Sequence, residues 1–138
     1  MVRIIGIDGL DTGIVEKHID LLPNLRKIKG NGILNPIKSV FPADSVPAWV
    51  TIFTGLNPAE HGIIRGKDFI ESAEAFQSQN NFKLQGRTFW DHISGNHYKC
   101  LIINPFLAYP SWEINGIMES GPAFIAGGHS IYPENAGS

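Results

Sequence analysis

The segment from residue 41 to 62, FPADSVPAWVTIFTGLNPAEHG, constrains the fold more than any other part of this chain. It predicts a Pro-flanked turn and then a short apolar helix that ends at Gly55, the residue type that favours a left-handed C-terminal cap. Pro47 falls in the first turn, where a missing N–H carries no penalty. Ser45 is thereby delivered to the helix N-terminus, where free N–H groups and the helix dipole attract anions such as phosphate.

Two interpretations of Ser45 are compatible with this pattern. Its hydroxyl is a candidate nucleophile, held where a negatively charged substrate would arrive. Serine is also a usual N-cap residue, as is the neighbouring Asp44, and the local pattern alone favours the cap. The helix that follows is apolar nearly all round except at Thr51 and Thr54, so it is predicted to be buried.

Composition limits the class of protein. The chain has 138 residues, 43% hydrophobic and 17% charged, which predicts one globular domain, or part of one, over residues 1–138 and argues against disorder. A formal charge of -2 gives no reason to expect nucleic acid or an anionic membrane as a partner. No apolar run approaches the ~20 residues of a membrane span. Cys100 is the single cysteine, so an inert thiol and a cytoplasmic location are expected.

Hydrophobic patterning along the chain predicts an α/β fold. Strands are predicted at Val2–Ile7, Ile33–Val40 and Tyr98–Ile103. Helices are predicted at Pro23–Lys29, after Ser45, and at Thr88–Ser94. This order predicts a mainly parallel sheet flanked by helices, incomplete at the C-terminal end, with the polar segment 67–86 as a peripheral insertion. Asp8 follows the first predicted strand, at the edge where open α/β sheets place their ligands.

Five segments, in series and with their spacing, resemble one known family. They are IIGIDGLD at 4–11, LPNLRKI at 22–28, SVFPADSVPAWVTIFTGLNPAEHGI at 39–63, TFWDHI at 88–93 and LIINPFLAYPSWEINGIMESG at 101–121. The family is that of the type I phosphodiesterases and nucleotide pyrophosphatases of the alkaline phosphatase superfamily. The resemblance implies an alkaline-phosphatase-like core, a small phosphate-ester substrate and phosphoryl-transfer chemistry.

The same resemblance implies roles for two residues. Ser45 matches the family's nucleophile, which forms a covalent phospho-enzyme, and its oxygen also binds a metal. Asp8 matches a ligand of one of two catalytic divalent metals, usually zinc. The family's further Asp and His ligands are expected downstream of this chain, which is therefore expected to be the N-terminal part of the domain. A catalytically silent domain that lacks a complete metal site is the alternative.

The remaining candidates have simpler interpretations. His61 is expected to make local hydrogen bonds in preference to binding a metal, and Asp11 to act in a cap or turn. His92 and His97 do not have the spacing of a helical metal pair, and His129 is expected to be exposed. An incomplete sheet would leave an open strand edge, so self-association of the chain through that edge is also expected.

Overall fold

The computed structural model describes residues 1–68, 84–121 and 128–137. The chain divides into two compact units, Met1–Ser39 and Val40–Ser138, and each is described by itself. Most of the predicted polar insertion at 67–86 lies outside the described residues, as does the apolar run from Ala123 to Ala126 that the sequence shows. None of the helices in the described ranges is long and apolar enough to cross a membrane.

The first unit consists of short helices joined by tight turns. Helix α1 spans Thr12–Lys17, a 3-10 turn spans Ile19–Leu21, and helix α2 spans Pro23–Asn31. The side chain of Asp11 caps α1 by accepting a hydrogen bond from the Ile14 N–H at 2.9 Å, which confirms its predicted role. Pro23 opens α2, as its fixed backbone angle favours.

The strands predicted at Val2–Ile7 and Ile33–Val40 are absent from the described structure, where both segments lack regular secondary structure. A strand persists only when its N–H and C=O groups pair with a neighbour, and the strand pairs of the described residues all lie in the second unit. The apolar side chains of the first segment are exposed, for example Val2 at 87% and Ile5 at 77%. An apolar run therefore predicted a strand here without identifying a partner for it.

Two helices of the second unit form where their caps predicted, whereas the short helix between them was not predicted from the sequence. Helix α3 spans Ser45–Thr54 and ends at Gly55, whose φ of 70° is left-handed. Helix α4 spans Pro58–His61, and helix α5 spans Phe89–Gly95 behind the predicted N-cap Thr88. Since caps are local hydrogen bonds, their sequence signals marked the end of α3 and the start of α5 to within about two residues.

Three strands form the sheet of the second unit. Strand β1 spans Cys100–Ile103, β2 spans Gly116–Ser120 and β3 spans Ser130–Tyr132, in the order β1-β2-β3. The pair β1–β2 is parallel and the pair β2–β3 is antiparallel. These three strands therefore form a small mixed sheet in an α/β unit, and the prediction of a mainly parallel sheet is wrong for the described residues.

The connection from β1 to β2 supplies much of the core without forming a helix. It buries Leu107, Ala108, Trp112 and Ile114 against residues of α3 and α5. Gly116 opens β2 with φ at 148°, and a side chain there would collide with the backbone of Cys100, whose nitrogen would lie 2.9 Å from the added carbon. Only glycine allows this approach.

Aromatic rings join the helices to this connection. Trp90 of α5 meets Phe53 of α3 edge-on at 5.0 Å between ring centroids, and it stacks on Trp112 at 6.0 Å. Trp49 of α3 lies 5.6 Å from Phe53. Such pairs bury a large apolar area with a defined geometry, so they fix α3 and α5 against the same core.

Candidate active site

Ser45 is the first residue of α3, and Asp44 is its N-cap. Asp44 has an extended backbone, with φ at -141° and ψ at 151°, and its Oδ1 accepts a hydrogen bond from the Val46 N–H at 2.9 Å. The interpretation of Ser45 as the cap is therefore wrong. Capping falls to the neighbouring carboxylate, and Ser45 is left as an exposed hydroxyl at the positive end of a ten-residue helix.

The first turn of α3 offers fewer hydrogen-bond donors than the sequence suggested. The Val46 N–H is bonded to the Asp44 carboxylate, and the Ala48 N–H is bonded to the Asp44 carbonyl oxygen at 3.2 Å. Pro47 has no N–H. The three residues after Ser45 thus provide no open donor for a bound phosphate, and the expectation of free N–H groups is wrong for them. The helix dipole remains as the attraction for an anion.

His61 lies buried beside α3 at the end of α4, with 3% of its surface exposed. Its Nδ1 accepts a hydrogen bond from the Ile63 N–H at 3.1 Å, and its Nε2 lies 3.2 Å from Thr51 Oγ1. Because Nδ1 is an acceptor, the neutral ring carries its proton on Nε2, and this N–H faces Thr51 Oγ1 and the backbone carbonyl of Pro47 as acceptors. Both ring nitrogens are used, which confirms the predicted local hydrogen-bonding role.

Burial also sets the charge of His61. Desolvation lowers the pKa of the imidazole below its ordinary value, and the positive charge of Arg87 acts in the same direction. The backbone of Pro47 and the carboxylate of Glu60 oppose this shift. The neutral ring is favoured by burial, as its hydrogen bonds require.

Asp8 lies in the first unit, in a turn with Gly9 that follows the residues predicted as a strand. Its side chain is exposed. Among the residues that the structure describes, no group of three or more His, Cys, Asp or Glu side chains could hold a metal ion. Asp8 and Ser45 belong to different units and are described separately.

The other histidines and the cysteine behave as surface or packing residues. His92 and His97 are exposed, on and just after α5. His129 is exposed as expected, and its Nε2 lies 2.9 Å from Glu119 Oε1, a contact that the sequence did not reveal. Cys100 packs against the core, and burial followed by the nearby charge of Asp91 raises the pKa of its thiol, in keeping with an inert residue.

Asp91, in the first turn of α5, accepts several hydrogen bonds. Its carboxylate accepts hydrogen bonds from the Thr88 N–H at 2.9 Å, the Thr88 hydroxyl at 2.6 Å and Trp112 Nε1 at 2.7 Å. The contact with the Thr88 N–H and the reciprocal hydrogen bond from the Asp91 N–H to Thr88 Oγ1 at 3.3 Å form a capping box, which the spacing of the two residues could have predicted. The Trp112 contact joins residues 21 apart, and no local pattern indicates it.

The comparisons with known proteins bear on this arrangement. The family described as Type I phosphodiesterase / nucleotide pyrophosphatase matches residues 2–126. The chain belongs to this family. The members of this family are described as phosphodiesterases and nucleotide pyrophosphatases, which are hydrolases, and the family is metal-dependent.

Individual relatives are similar over short parts of their length. Ectonucleotide pyrophosphatase/phosphodiesterase family member 1 of Rattus norvegicus is 27% identical over 119 residues, which cover 81% of this chain and 13% of the rat protein. Family member 3 of Mus musculus is 36% identical over 64 residues, 46% of this chain and 7% of the mouse protein. The chain thus spans a small fraction of the curated relatives that it matches. No solved structure matches.

Proposed function

We propose that this chain forms part of the catalytic domain of a metal-dependent phosphoryl-transfer hydrolase of the phosphodiesterase and phosphatase type, with Ser45 as its nucleophile. One observation carries the proposal. In a chain of this family, Ser45 is an exposed hydroxyl at the start of α3 while Asp44 performs the capping. Because Asp44 is the N-cap, the capping role does not account for a serine at this position, whereas the family's nucleophile does.

In the proposed reaction, a small phosphate ester binds with its phosphorus atom facing Ser45 Oγ. The hydroxyl oxygen attacks phosphorus in line with the ester oxygen that leaves, so one P–O bond forms as another breaks. The leaving oxygen departs with a proton as the alcohol, and Ser45 carries the phosphoryl group. Water then attacks the phosphoserine and restores the hydroxyl. The dipole of α3 favours the negative charge of the bound group throughout.

The metal requirement of the family is only partly met by this chain. Asp8 and Ser45 offer one carboxylate and one hydroxyl, and a zinc site takes three or four protein ligands. Among the described residues, no group of three or more His, Cys, Asp or Glu side chains could hold a metal ion. The described residues therefore do not fit a complete metal centre. By family resemblance we propose each of Asp8 and Ser45 as a ligand of one of the family's two divalent ions, with zinc as the expected metal.

The test is the activity of the Ser45→Ala protein against an aryl phosphodiester and an aryl phosphomonoester, in zinc-containing buffer. Ser39, an exposed serine outside any helix, gives the matched control Ser39→Ala. We expect the Ser45→Ala variant to lose about 10³-fold or more of the turnover, and the control to retain it. Intact mass after rapid quenching should show one added phosphoryl group on the parent protein and none on Ser45→Ala. Full activity of Ser45→Ala would overturn the proposal.

A catalytically silent or interaction domain is the second candidate. The observation that favours it is the incomplete set of metal ligands in the described ranges. Calorimetric titration of the chain with zinc separates the two candidates. Binding at two sites with micromolar or tighter affinity contradicts the silent domain, whereas the absence of both zinc binding and turnover supports it. Our proposal of a phosphoryl-transfer hydrolase also includes a small phosphate-ester substrate and a cytoplasmic location.

A further inference from the structure

His61 has a direct structural connection to the helix that begins with Ser45. Its ring spans from α4 back to α3, where Nε2 lies 3.2 Å from Thr51 Oγ1. The backbone carbonyl of Pro47, two residues after Ser45, also acts as a hydrogen-bond acceptor for the ring. The ring therefore contacts α3 both in its middle and in its first turn.

The packing of α3 makes this polar contact important. Val46, Val50 and Phe53 bury one side of the helix, and most of its other residues are also apolar. The hydrophobic effect itself is not directional, so a polar contact adds a directional restraint on α3 to the packing that fixes it against the core. A hydrogen bond is directional, and a buried, satisfied polar pair selects one arrangement of the elements that it joins. The pair of His61 and Thr51 joins α3 to α4 in this way.

We propose that His61 is a positioning residue for Ser45: the pair of His61 and Thr51 fixes the rotation of α3 and so the direction of the Ser45 hydroxyl. This inference rests on the proposed function. A side-chain atom about 4 Å from a helix axis moves about 1 Å when the helix rotates by about 15°. A displacement of about 1 Å from the reactive geometry lowers a rate by about 10²-fold.

Two substitutions of the same residue separate positioning from general stability. In His61→Gln the side-chain amide reaches the place of Nε2 and can still donate to Thr51. In His61→Asn the side-chain oxygen takes the place of Nδ1, so the Ile63 N–H keeps its acceptor while the Thr51 contact is lost. Thr51→Val removes the hydroxyl at nearly constant shape, and Thr51→Ser retains it.

The kinetic expectation follows from which contact survives. His61→Asn and Thr51→Val should lower kcat by about 10- to 100-fold with KM changed by less than about 2-fold, because a misplaced nucleophile weakens the transition state and not substrate binding. His61→Gln and Thr51→Ser should keep kcat within about 3-fold. An equal loss of kcat in His61→Gln and His61→Asn, or unchanged kcat in Thr51→Val, would overturn the inference.

A second measurement does not depend on turnover. Amide hydrogen exchange should become faster in α3 of His61→Asn and Thr51→Val, while the amides of β2 keep the exchange rates of the parent protein. Equal acceleration in both elements would indicate general destabilisation and contradict positioning. If the parent protein shows no turnover, the proposed function fails, and the exchange pattern of α3 still decides whether His61 and Thr51 hold this helix.

Discussion

The neighbours Asp44 and Ser45 give the sharpest test of the site, because Asp44 caps α3 whereas Ser45 is the nucleophile of our proposal. Replacing Asp44 with alanine removes the acceptor of the Val46 N–H, 2.9 Å away. Replacing Ser45 with alanine leaves that hydrogen bond in place. The two substitutions should therefore change different properties: the first should lower the free energy of unfolding, and the second should abolish turnover.

The expected size of the stability change comes from two contributions. Loss of a side-chain N-cap costs about 1 kcal/mol, and loss of a negative charge at the N-terminus of a helix costs about 0.3–1 kcal/mol. Asp44→Ala should thus be less stable by about 1.5 kcal/mol. Asp44→Asn keeps a side-chain oxygen and loses only the charge, so it should lie between the parent and Asp44→Ala. Ser45→Ala should stay within about 0.5 kcal/mol of the parent, since alanine suits the first helical turn.

Urea unfolding followed by tryptophan fluorescence measures these differences, because Trp49 lies in α3 itself. The midpoint should fall in the order parent, Asp44→Asn, Asp44→Ala, with the slope unchanged. Phosphodiesterase activity is measured on the same samples at low urea. If Ser45→Ala were destabilised by about 1 kcal/mol or more while Asp44→Ala resembled the parent, Ser45 would be the cap, and the argument for a nucleophile would lose its support.

Three further predictions concern the pH, the core and the strand edge. Desolvation lowers the pKa of His61 from 6.5, so the unfolded chain binds a proton at a higher pH than the folded protein does. The free energy of unfolding should therefore be highest above about pH 6.5 and fall as the pH drops below that value. A His61→Gln protein should show a flatter dependence of the urea midpoint on pH. Asp91→Ala should lower the free energy of unfolding by about 2–4 kcal/mol, because it removes the carboxylate that accepts hydrogen bonds from the buried Thr88 and Trp112. The control Asp20→Ala, which breaks an exposed ion pair, should cost less than about 0.5 kcal/mol in the same assay. Self-association through the outer edge of β1 should be visible by sedimentation velocity and weaken in Leu101→Lys; a monomeric parent protein would contradict it.

The sequence predicted those parts of the fold that depend on local contacts. Gly55 and Thr88 marked the end of α3 and the start of α5, because a left-handed glycine and a capping threonine act on residues within one turn. His61 was likewise expected to make local hydrogen bonds, and its partners Thr51 and Ile63 are close to it in sequence. In each case the partners lie within about ten residues of each other.

Strands and long-range contacts were harder to predict because their partners are distant in sequence. The run Val2–Ile7 has the composition of a buried strand, yet it is exposed and unpaired in the described structure. Strand β2, with the sequence GIMES, is less apolar and was not predicted, but it pairs on both sides. Pairing decides which segment becomes a strand, and composition describes only one of the two partners.

The choice between Asp44 and Ser45 as the cap illustrates the same limit within the site. Both residue types cap helices well, so the sequence could not decide between them. The backbone decides, because Asp44 is extended and Ser45 is already helical. One residue of difference in the start of the helix thus decides which of the two residues is the cap.

The glycine that opens β2 also determines how the sheet is aligned. Both faces of β1 are apolar, with Cys100 and Ile102 toward the core and Leu101 and Ile103 outward, so a slip of one residue would exchange side chains of similar character. Hydrophobicity alone therefore distinguishes the alignments poorly. Gly116 does so sterically, since no residue with a side chain can take its place against the backbone of Cys100. Because Gly116 has no Cβ, it fixes the register of a sheet in which the two faces of β1 have similar hydrophobicity.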